Sequence, residues 1–320
     1  MTDRQTAVAC RDLTVMYGDT VAVDHISFDA NAGEVLGLLG PNGAGKTSAI
    51  RALTTILPPR TGEARVAGAD LLADPVSVRA RVGSLPESSG YPSMQTALGY
   101  LRYHGRLYGL SPMAAVERAE ELLTEMGLAD HARVRIRTFS RGMRQRLGIA
   151  RSLVNDPEVL FLDEPTLGLD PAGKGHILQR IRAIADRNGT TVILSSHLLD
   201  EVERVCDRVV IMDEGAVVAK GSVDEVVARS GVATSVRARV PLTDVPRAAE
   251  LLRDAAGVAE VHEDGGRPGE LIAEIIGSRG ASLVAQTLIS AHIPLISVQG
   301  EGATLQDAFL ALTTPIGGGR

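Results

Sequence analysis

The stretch GPNGAGKT, residues 40 to 47, constrains the fold of this chain more than any other. It follows the short apolar run GEVLGLLG and opens the helical pattern KTSAIRALTTIL, which Pro58 and Pro59 stop. A strand that runs into a glycine-rich loop and then into a helix is the setting in which this pattern cradles phosphate. The glycines let backbone N–H groups converge on phosphate oxygens, and the helix N-terminus adds its positive dipole end. Lys46 is placed to reach the β- and γ-phosphates, and Thr47 to offer its hydroxyl to Mg²⁺. A glycine-rich turn with an incidental lysine is the plainer reading, but it would require neither flank.

A second group of residues gains meaning from that loop. VLFLDE, residues 159 to 164, ends an apolar strand with two carboxylates. Asp163 is expected to hold Mg²⁺ through water, as the acidic residue ending this strand does in P-loop NTPases. Glu164, one residue on, has the short reach needed by a general base for the attacking water. Acidic residues often end strands, so alone this motif says little. His197 follows the apolar strand TVILSS, at the edge where parallel sheets bind ligands. By itself a histidine there is more often structural, and His25, His104, His131, His176, His262 and His292 take that reading.

The run FSRGMRQRLGIARSL, residues 139 to 153, carries Arg141, Arg144, Arg146 and Arg151 and leaves three readings open. It suits a nucleic-acid patch, a solvated helix face, or half of a phosphate site completed elsewhere. Composition weighs against the first. The formal net charge is −6, aromatics are 3% of residues and there is no Trp, so neither a basic footprint nor a base-stacking platform is supplied. Cys10 and Cys206 are far apart and read as structural thiols, which fits a reducing compartment. The start, MTDRQTAVACRD, lacks the apolar core of a signal peptide, and no apolar run approaches the roughly 20 residues of a membrane span. The expectation is a soluble chain that meets a membrane only through a partner.

Along the chain, alternating apolar residues before the loop read as antiparallel strands joined at Gly18–Asp19. Short continuous apolar strands then alternate with helices, the pattern of a parallel sheet covered on both faces. Residues from about 94 to 130 are helix-rich. Past about residue 225 the order becomes βαββαβ plus one helix, the split βαβ ferredoxin-like motif. The expected organisation is an α/β nucleotide-binding domain over 1–224, with a helical subdomain at about 92–155, and a small α+β domain over 225–320. A turn is expected in DGGRPG, a capping box at Thr304 and Asp307, and a disordered tail, PIGGGR.

Taken in order, Tyr17, GPNGAGKT, FSRGMRQRL, VLFLDEPTLGLD and SSH resemble the ATP-binding subunit of an ABC transporter over about residues 7 to 222. The resemblance implies a P-loop ATPase fold with an antiparallel β subdomain, a mainly parallel core sheet and a helical subdomain. It implies ATP bound by Tyr17, stacked on adenine, and by Gly40, Pro41, Asn42, Gly43, Ala44, Gly45, Lys46, Thr47 and Ser48. Catalysis would fall to Lys46, Glu164 and His197, the last as the switch histidine near the γ-phosphate. Ser140, Arg141, Gly142 and Met143 occupy the signature positions that face ATP on an opposite subunit, and Asp170 the D-loop contact between subunits. On this resemblance the arginine run is a phosphate site completed in trans, its arginines covering the helix and making ion pairs.

Two departures stand out. The common Leu-Ser-Gly-Gly-Gln signature is here Phe139-Ser140-Arg141-Gly142-Met143, and Glu87 in VGSLPESSGYP takes the place of the usual Q-loop glutamine. Glu87 therefore joins Thr47 and Asp163 as a candidate Mg²⁺ neighbour, with coupling to the permease as its first expected role. The LPE form and the ending ATLQDAFLALT resemble the daunorubicin/doxorubicin-resistance group of ABC-2-type exporters. The resemblance implies a homodimer at the cytoplasmic face of the membrane, powering a separately encoded permease that exports drugs or other hydrophobic molecules. The rival, an ABC ATPase acting on nucleic acid or ribosomes, is opposed by the short insert between Thr47 and Ser140 and by the single P-loop; a C-terminal sugar-binding sandwich is opposed by the helices in the tail. The final helix presents Leu305, Phe309 and Leu312 on one stripe, which suits either an interface or its own domain's core.

Overall fold

The computed structural model describes residues 6–88, 90–230, 232–264, 267–276, 280–301 and 304–313. Two long strands, β1 (Thr6–Tyr17) and β2 (Thr20–Asn31), pair antiparallel through the Gly18–Asp19 turn. A short buried strand, β3 (Val35–Leu39), leads through the glycine-rich loop into α1 (Lys46–Leu53). The helix stops five residues before Pro58. Thr54 is its C-cap, with both its N–H and its hydroxyl on the Ile50 carbonyl, and Thr55 leaves the helical region at φ 62°, ending it before the prolines can. β4 (Thr61–Val66) and β5 (Ala69–Asp70) complete an antiparallel sheet of order β2-β1-β4-β5.

The next segments set the core sheet and the helical part. α2 (Pro75–Arg81) precedes β6 (Val82–Leu85), and α3 (Ala97–Leu107), α4 (Pro112–Glu125) and α5 (Arg141–Ser152) follow. Each helix begins on a side-chain cap: Asp74, Thr96, Ser111 and Ser140 accept a backbone N–H of their own first turn. β7 (Val159–Asp163), α6 (Pro171–Asn188), β8 (Thr191–Ser196), α7 (Leu199–Val205), β9 (Arg208–Asp213) and β10 (Ala216–Gly221) finish the unit. The core sheet runs β10-β9-β3-β8-β7-β6, with β9, β3, β8, β7 and β6 mutually parallel. Strands β3 and β7 are buried at every position, as a sheet covered on both faces requires. Register then matters: Leu39 lies opposite Ser196, Asp163 opposite Ser195, and Leu85 opposite Leu162. The chain segments leaving β3, β6, β7 and β8 therefore all emerge at one carboxyl edge.

The chain divides into two compact units at Lys220/Gly221. A boundary at 224/225 would fall inside α8 (Val223–Arg229), which begins on a reciprocal capping box between Ser222 and Glu225. In the second unit β11 (Ala233–Arg239), α9 (Val245–Arg253), β12 (Val258–Glu263), β13 (Glu270–Ile276), α10 (Gly280–Ser290) and β14 (Ser297–Glu301) form an antiparallel sheet of order β12-β13-β11-β14. This is the ferredoxin-like order, in which β13 sits between the two strands joined by α9. Its core holds Val236, Ala238, Leu252, Leu271, Ala273, Val284 and Leu288. The last helix, α11 (Leu305–Thr313), packs on α8 of the same unit, with Leu305 and Ala308 buried and Phe309 and Leu312 half-buried. Much of the stripe read from the sequence is thus covered within the chain. Gly265 and Gly266 of the DGGRPG turn and the PIGGGR tail lie outside the described residues, while Gly269, which closes the turn, stands at φ 87°.

Candidate functional site

The glycine-rich loop is shaped by its backbone. Gly45 caps α1 at φ 94°, and a methyl group there would meet the Ala22 carbonyl oxygen at 2.4 Å, so only glycine fits. Lys46 is buried and donates to the carbonyls of Gly40 at 2.7 Å and Pro41 at 3.0 Å, folded back along its own loop. Burial pulls its ammonium below the usual lysine range, an effect partly offset by the carboxylates of Glu164, Asp163 and Glu87. Three acids are thus electrically linked to one lysine.

The carboxylates come from the register of the sheet. Asp163, 2% exposed at the end of β7, accepts from Ser195 Oγ at 2.6 Å and from Thr47 Oγ1 at 3.2 Å. Glu164 stands at φ 50°, a left-handed conformation that a side-chain-bearing residue holds only when its surroundings enforce it. Its N–H donates to Ser195 Oγ at 3.0 Å, and its two carboxylate oxygens lie 3.0 and 2.9 Å from His197 Nδ1. An ionised carboxylate can only accept, so Nδ1 carries the proton of this bond and Nε2 is the ring nitrogen left for another partner.

An open cleft of about 470 Å³ joins these groups, lined by the loop from Asn42 to Ser48 together with Glu87, Glu164, Leu167 and His197. A glycine-rich loop with its lysine, an acid pair and a histidine converging at the carboxyl edge of a parallel sheet define a P-loop nucleotide-binding ATPase site. Thr47 and Asp163 offer hard oxygen donors of the kind Mg²⁺ takes. Among the described residues no three His, Cys, Asp or Glu side chains cluster as a protein-only metal cage, and a cation held largely by phosphates and water needs none.

Other expected residues stand apart from this cleft. Tyr17, 43% exposed, receives hydrogen bonds on its hydroxyl from Ser48 at 3.4 Å and Arg51 at 3.3 Å, which hold its proton affinity below the usual range, Ser48 contributing most. Ser140 caps α5 through Met143 N–H at 3.2 Å. Arg141, Arg144 and Gln145 line a neighbouring cleft of about 490 Å³ with Glu87, Tyr91, Arg137 and Glu164. Asp170 caps α6 through Gly173 N–H at 3.2 Å. Two arginines of the run, expected to make ion pairs, bond to carbonyls. Arg146 reaches Met126 and Gly127, each at 3.2 Å, and Arg151 reaches Ser84 at 2.7 Å. These carbonyls close the ends of neighbouring segments, where a guanidinium fork fits better than a lone acid. Ser195, which donates to the Asp163 carboxylate and accepts from the Glu164 N–H, has no sequence signal beyond its place in SSH.

Comparison with known proteins narrows the class. The family model described as ABC transporter matches residues 23–167. The daunorubicin/doxorubicin resistance ATP-binding protein of Streptomyces peucetius is 39% identical over 310 residues, covering 96% of this chain and 92% of that protein. The linearmycin resistance ATP-binding protein of Bacillus subtilis is 35% identical, covering 93% and 95% of the two chains. A solved ATP-binding subunit of an ABC transporter is similar at 31% identity and a TM-score of 0.64, covering 70% of this chain and 93% of its own. The chain belongs to the ATP-binding subunits of ABC transporters, and it is an ABC-type ATPase. Within that family it resembles the daunorubicin/doxorubicin-resistance group.

Proposed function

We propose that this chain powers export by hydrolysing ATP at the cleft described above, working as a pair of copies beneath a separate membrane permease. The observation that carries the reading is the contact of Glu164 with His197, at the same edge as Lys46 and Thr47. Lys46 and the loop glycines hold the β- and γ-phosphates, and Thr47 with Asp163 would hold Mg²⁺, which neutralises charge on those phosphates when bound. Glu164 takes the proton of the water that attacks the γ-phosphorus, leaving ADP and phosphate. His197 orients Glu164 through Nδ1 and offers Nε2 toward the γ-phosphate. Glu87, exposed between the two clefts, serves coupling first and the metal second.

The pairing reading is supported by placement: Ser140 caps α5, and Arg141 and Arg144 line a cleft beside the P-loop cleft, which leaves the N-terminus of α5 for a partner's nucleotide. Asp170 then meets the opposite copy from the start of α6, and the Tyr17 ring stacks on adenine. Tyr103 and Leu107, four apart on α3 and 54% and 62% exposed, give the permease an apolar surface to grip. Among the described residues no helix is long and apolar enough to cross a membrane; in this reading membrane contact at the cytoplasmic face is made through the permease. The cargo is a drug or another hydrophobic molecule, in line with the resistance proteins it resembles. Glu164→Gln should bind Mg-ATP and fail to turn it over, because an amide accepts no proton from water. Full steady-state hydrolysis by that variant would remove Glu164 from the base role.

A further inference from the structure

A buried carboxylate with no part in the chemistry above sits behind the loop that carries Glu164. Glu201, in the first turn of α7, is 4% exposed, and its Oε2 accepts a hydrogen bond from the hydroxyl of Thr166, itself 1% exposed. Lys174, on α6, places Nζ 3.0 Å from Glu201 Oε1, at ion-pair distance without hydrogen-bond alignment. A carboxylate withdrawn from water persists ionised only where charge and hydrogen bonds compensate it, and these two partners do so. They come from different segments. Thr166 lies on the loop between Glu164 and Asp170, Lys174 on α6, and Glu201 on α7, four residues beyond His197.

That loop is tightly wound. Leu167 N–H donates to the Glu164 carbonyl at 3.1 Å, and Leu169 N–H to the Thr166 carbonyl at 3.1 Å. Glu201 is itself tied down, its N–H donating to the Leu198 carbonyl at 3.2 Å. Two rungs therefore join the loop after β7 to the segment after β8: Glu164 to His197, and Thr166 to Glu201. The first rung is half-exposed at His197 and would be free to swing alone; the second is buried and charge-assisted.

We infer that Glu201 is a positioning residue for ATP hydrolysis, holding Thr166 and Lys174 so that the loop bearing Glu164 stays in register with the segment bearing His197. The inference rests on the reading of Glu164 as general base. A base displaced by about 1 Å can lose on the order of 100-fold in rate while the phosphate loop binds nucleotide as before.

Steady-state hydrolysis of Mg-ATP by the full chain tests this, with Glu164→Gln measured alongside. Thr166→Val keeps the side-chain volume and removes the hydroxyl. Glu201→Gln keeps an acceptor for Thr166 and removes the charge that Lys174 pairs with. Both are expected to lower kcat by about tenfold or more with KM for ATP within about threefold, the pattern of a lost transition-state interaction. Thr166→Ser should restore kcat. Parental kcat in Thr166→Val and Glu201→Gln, with turnover lost in Glu164→Gln, overturns the positioning role and leaves the base reading intact. Turnover kept by Glu164→Gln overturns both. A kcat loss that tracks a fall in melting temperature and is not rescued by Thr166→Ser makes Glu201 a packing residue only, and overturns the inference as well.

Discussion

The Arg141 guanidinium lies directly over Gly168: a methyl group built on that glycine would meet Arg141 Cζ at 2.2 Å. Gly168 also stands at φ 70°, in the left-handed region. The arginine that replaces a signature glycine thus fits because the loop opposite presents a glycine of its own. Gly168→Ala should cost about 1–2 kcal/mol from the backbone conformation alone, lowering the melting temperature by about 2–8 °C for a unit of this size. Arg141→Ala added to it should recover only the crowding, since φ remains unfavourable. An unchanged melting temperature in Gly168→Ala would show that the loop relaxes at no cost.

Complementation follows from the separation of Ser140 from the P-loop cleft. A Lys46 variant and a Ser140 variant should each be inactive alone. Mixed, they place both defects on one composite site of a heterodimer and leave the other site whole. Hydrolysis should partly return on mixing, measured against the fraction of heterodimer. If heterodimers form and activity stays absent, the site is built within one chain or both sites must fire together. The Ser140 variant needs its own control, because loss of the cap weakens α5 by about 1 kcal/mol.

Glu87 adds negative charge to the cleft where the family's usual glutamine adds none. Its carboxylate is one of three that raise the proton affinity of Lys46 against burial, so it lies within electrostatic reach of the phosphates' lysine. Glu87→Gln should leave ATP affinity within about tenfold, a change of about 1.4 kcal/mol, with any shift toward tighter binding. Titration with a fluorescent ATP analogue in the presence and absence of Mg²⁺ reads this directly. A much larger loss confined to Mg-ATP would make Glu87 a metal ligand.

The parts of the site that lie in consecutive residues are legible in the sequence itself. The glycine loop carries its own flanks, and a strand ending in Asp163 and Glu164 announces its place in a parallel sheet. The same holds for the second unit, where alternation and turn residues predict the βαββαβ order that the sheet adopts. What the sequence could not display are contacts between distant segments. Ser195 reaches Asp163, Thr166 reaches Glu201, and Arg151 reaches the Ser84 carbonyl across strand register and helix packing, with no local pattern to mark them. Prolines mislead at α1, where Thr55 turns into the left-handed region at φ 62° and ends the helix before the missing N–H of a proline can act.

The thiols provide a check on the packed core of the first unit. Cys10 is fully buried in the antiparallel sheet, with Sγ 3.9 Å from the Ile26 carbonyl oxygen, and burial pushes its thiol up to about 11. The thiolate is the reactive form, so at pH 8 Cys10 should resist alkylation in the folded chain and react once denatured. Mass-spectrometric mapping after iodoacetamide, with and without denaturant, gives the answer. Rapid native labelling of Cys10 would mean that the β1–β2 layer opens readily.

The final helix carries a pH dependence whose sign is fixed by its cap. Thr304 N–H and hydroxyl both donate to Asp307 Oδ2, at 2.9 and 2.7 Å, and Asp307 N–H donates back to Thr304 Oγ1 at 3.2 Å. These bonds, the Thr304 backbone N–H foremost, hold the Asp307 carboxyl below its usual range. A carboxyl whose proton affinity falls on folding favours the folded helix while ionised. That stabilisation is complete above the unfolded value of about 4 and is lost as pH drops through the lower folded value. Acid below about pH 4, and not mild acid, should therefore loosen α11 from α8. Asp307 is largely solvent-exposed, so the effect belongs at the low end of the capping range, about 0.5 kcal/mol. Hydrogen exchange over residues 305–313, corrected for intrinsic rates, should show protection at pH 5 that falls by pH 3. Asp307→Asn should begin with less protection at pH 5 and lose less on acidification. Equal acid sensitivity in the parent and in Asp307→Asn would assign the loosening to other carboxylates.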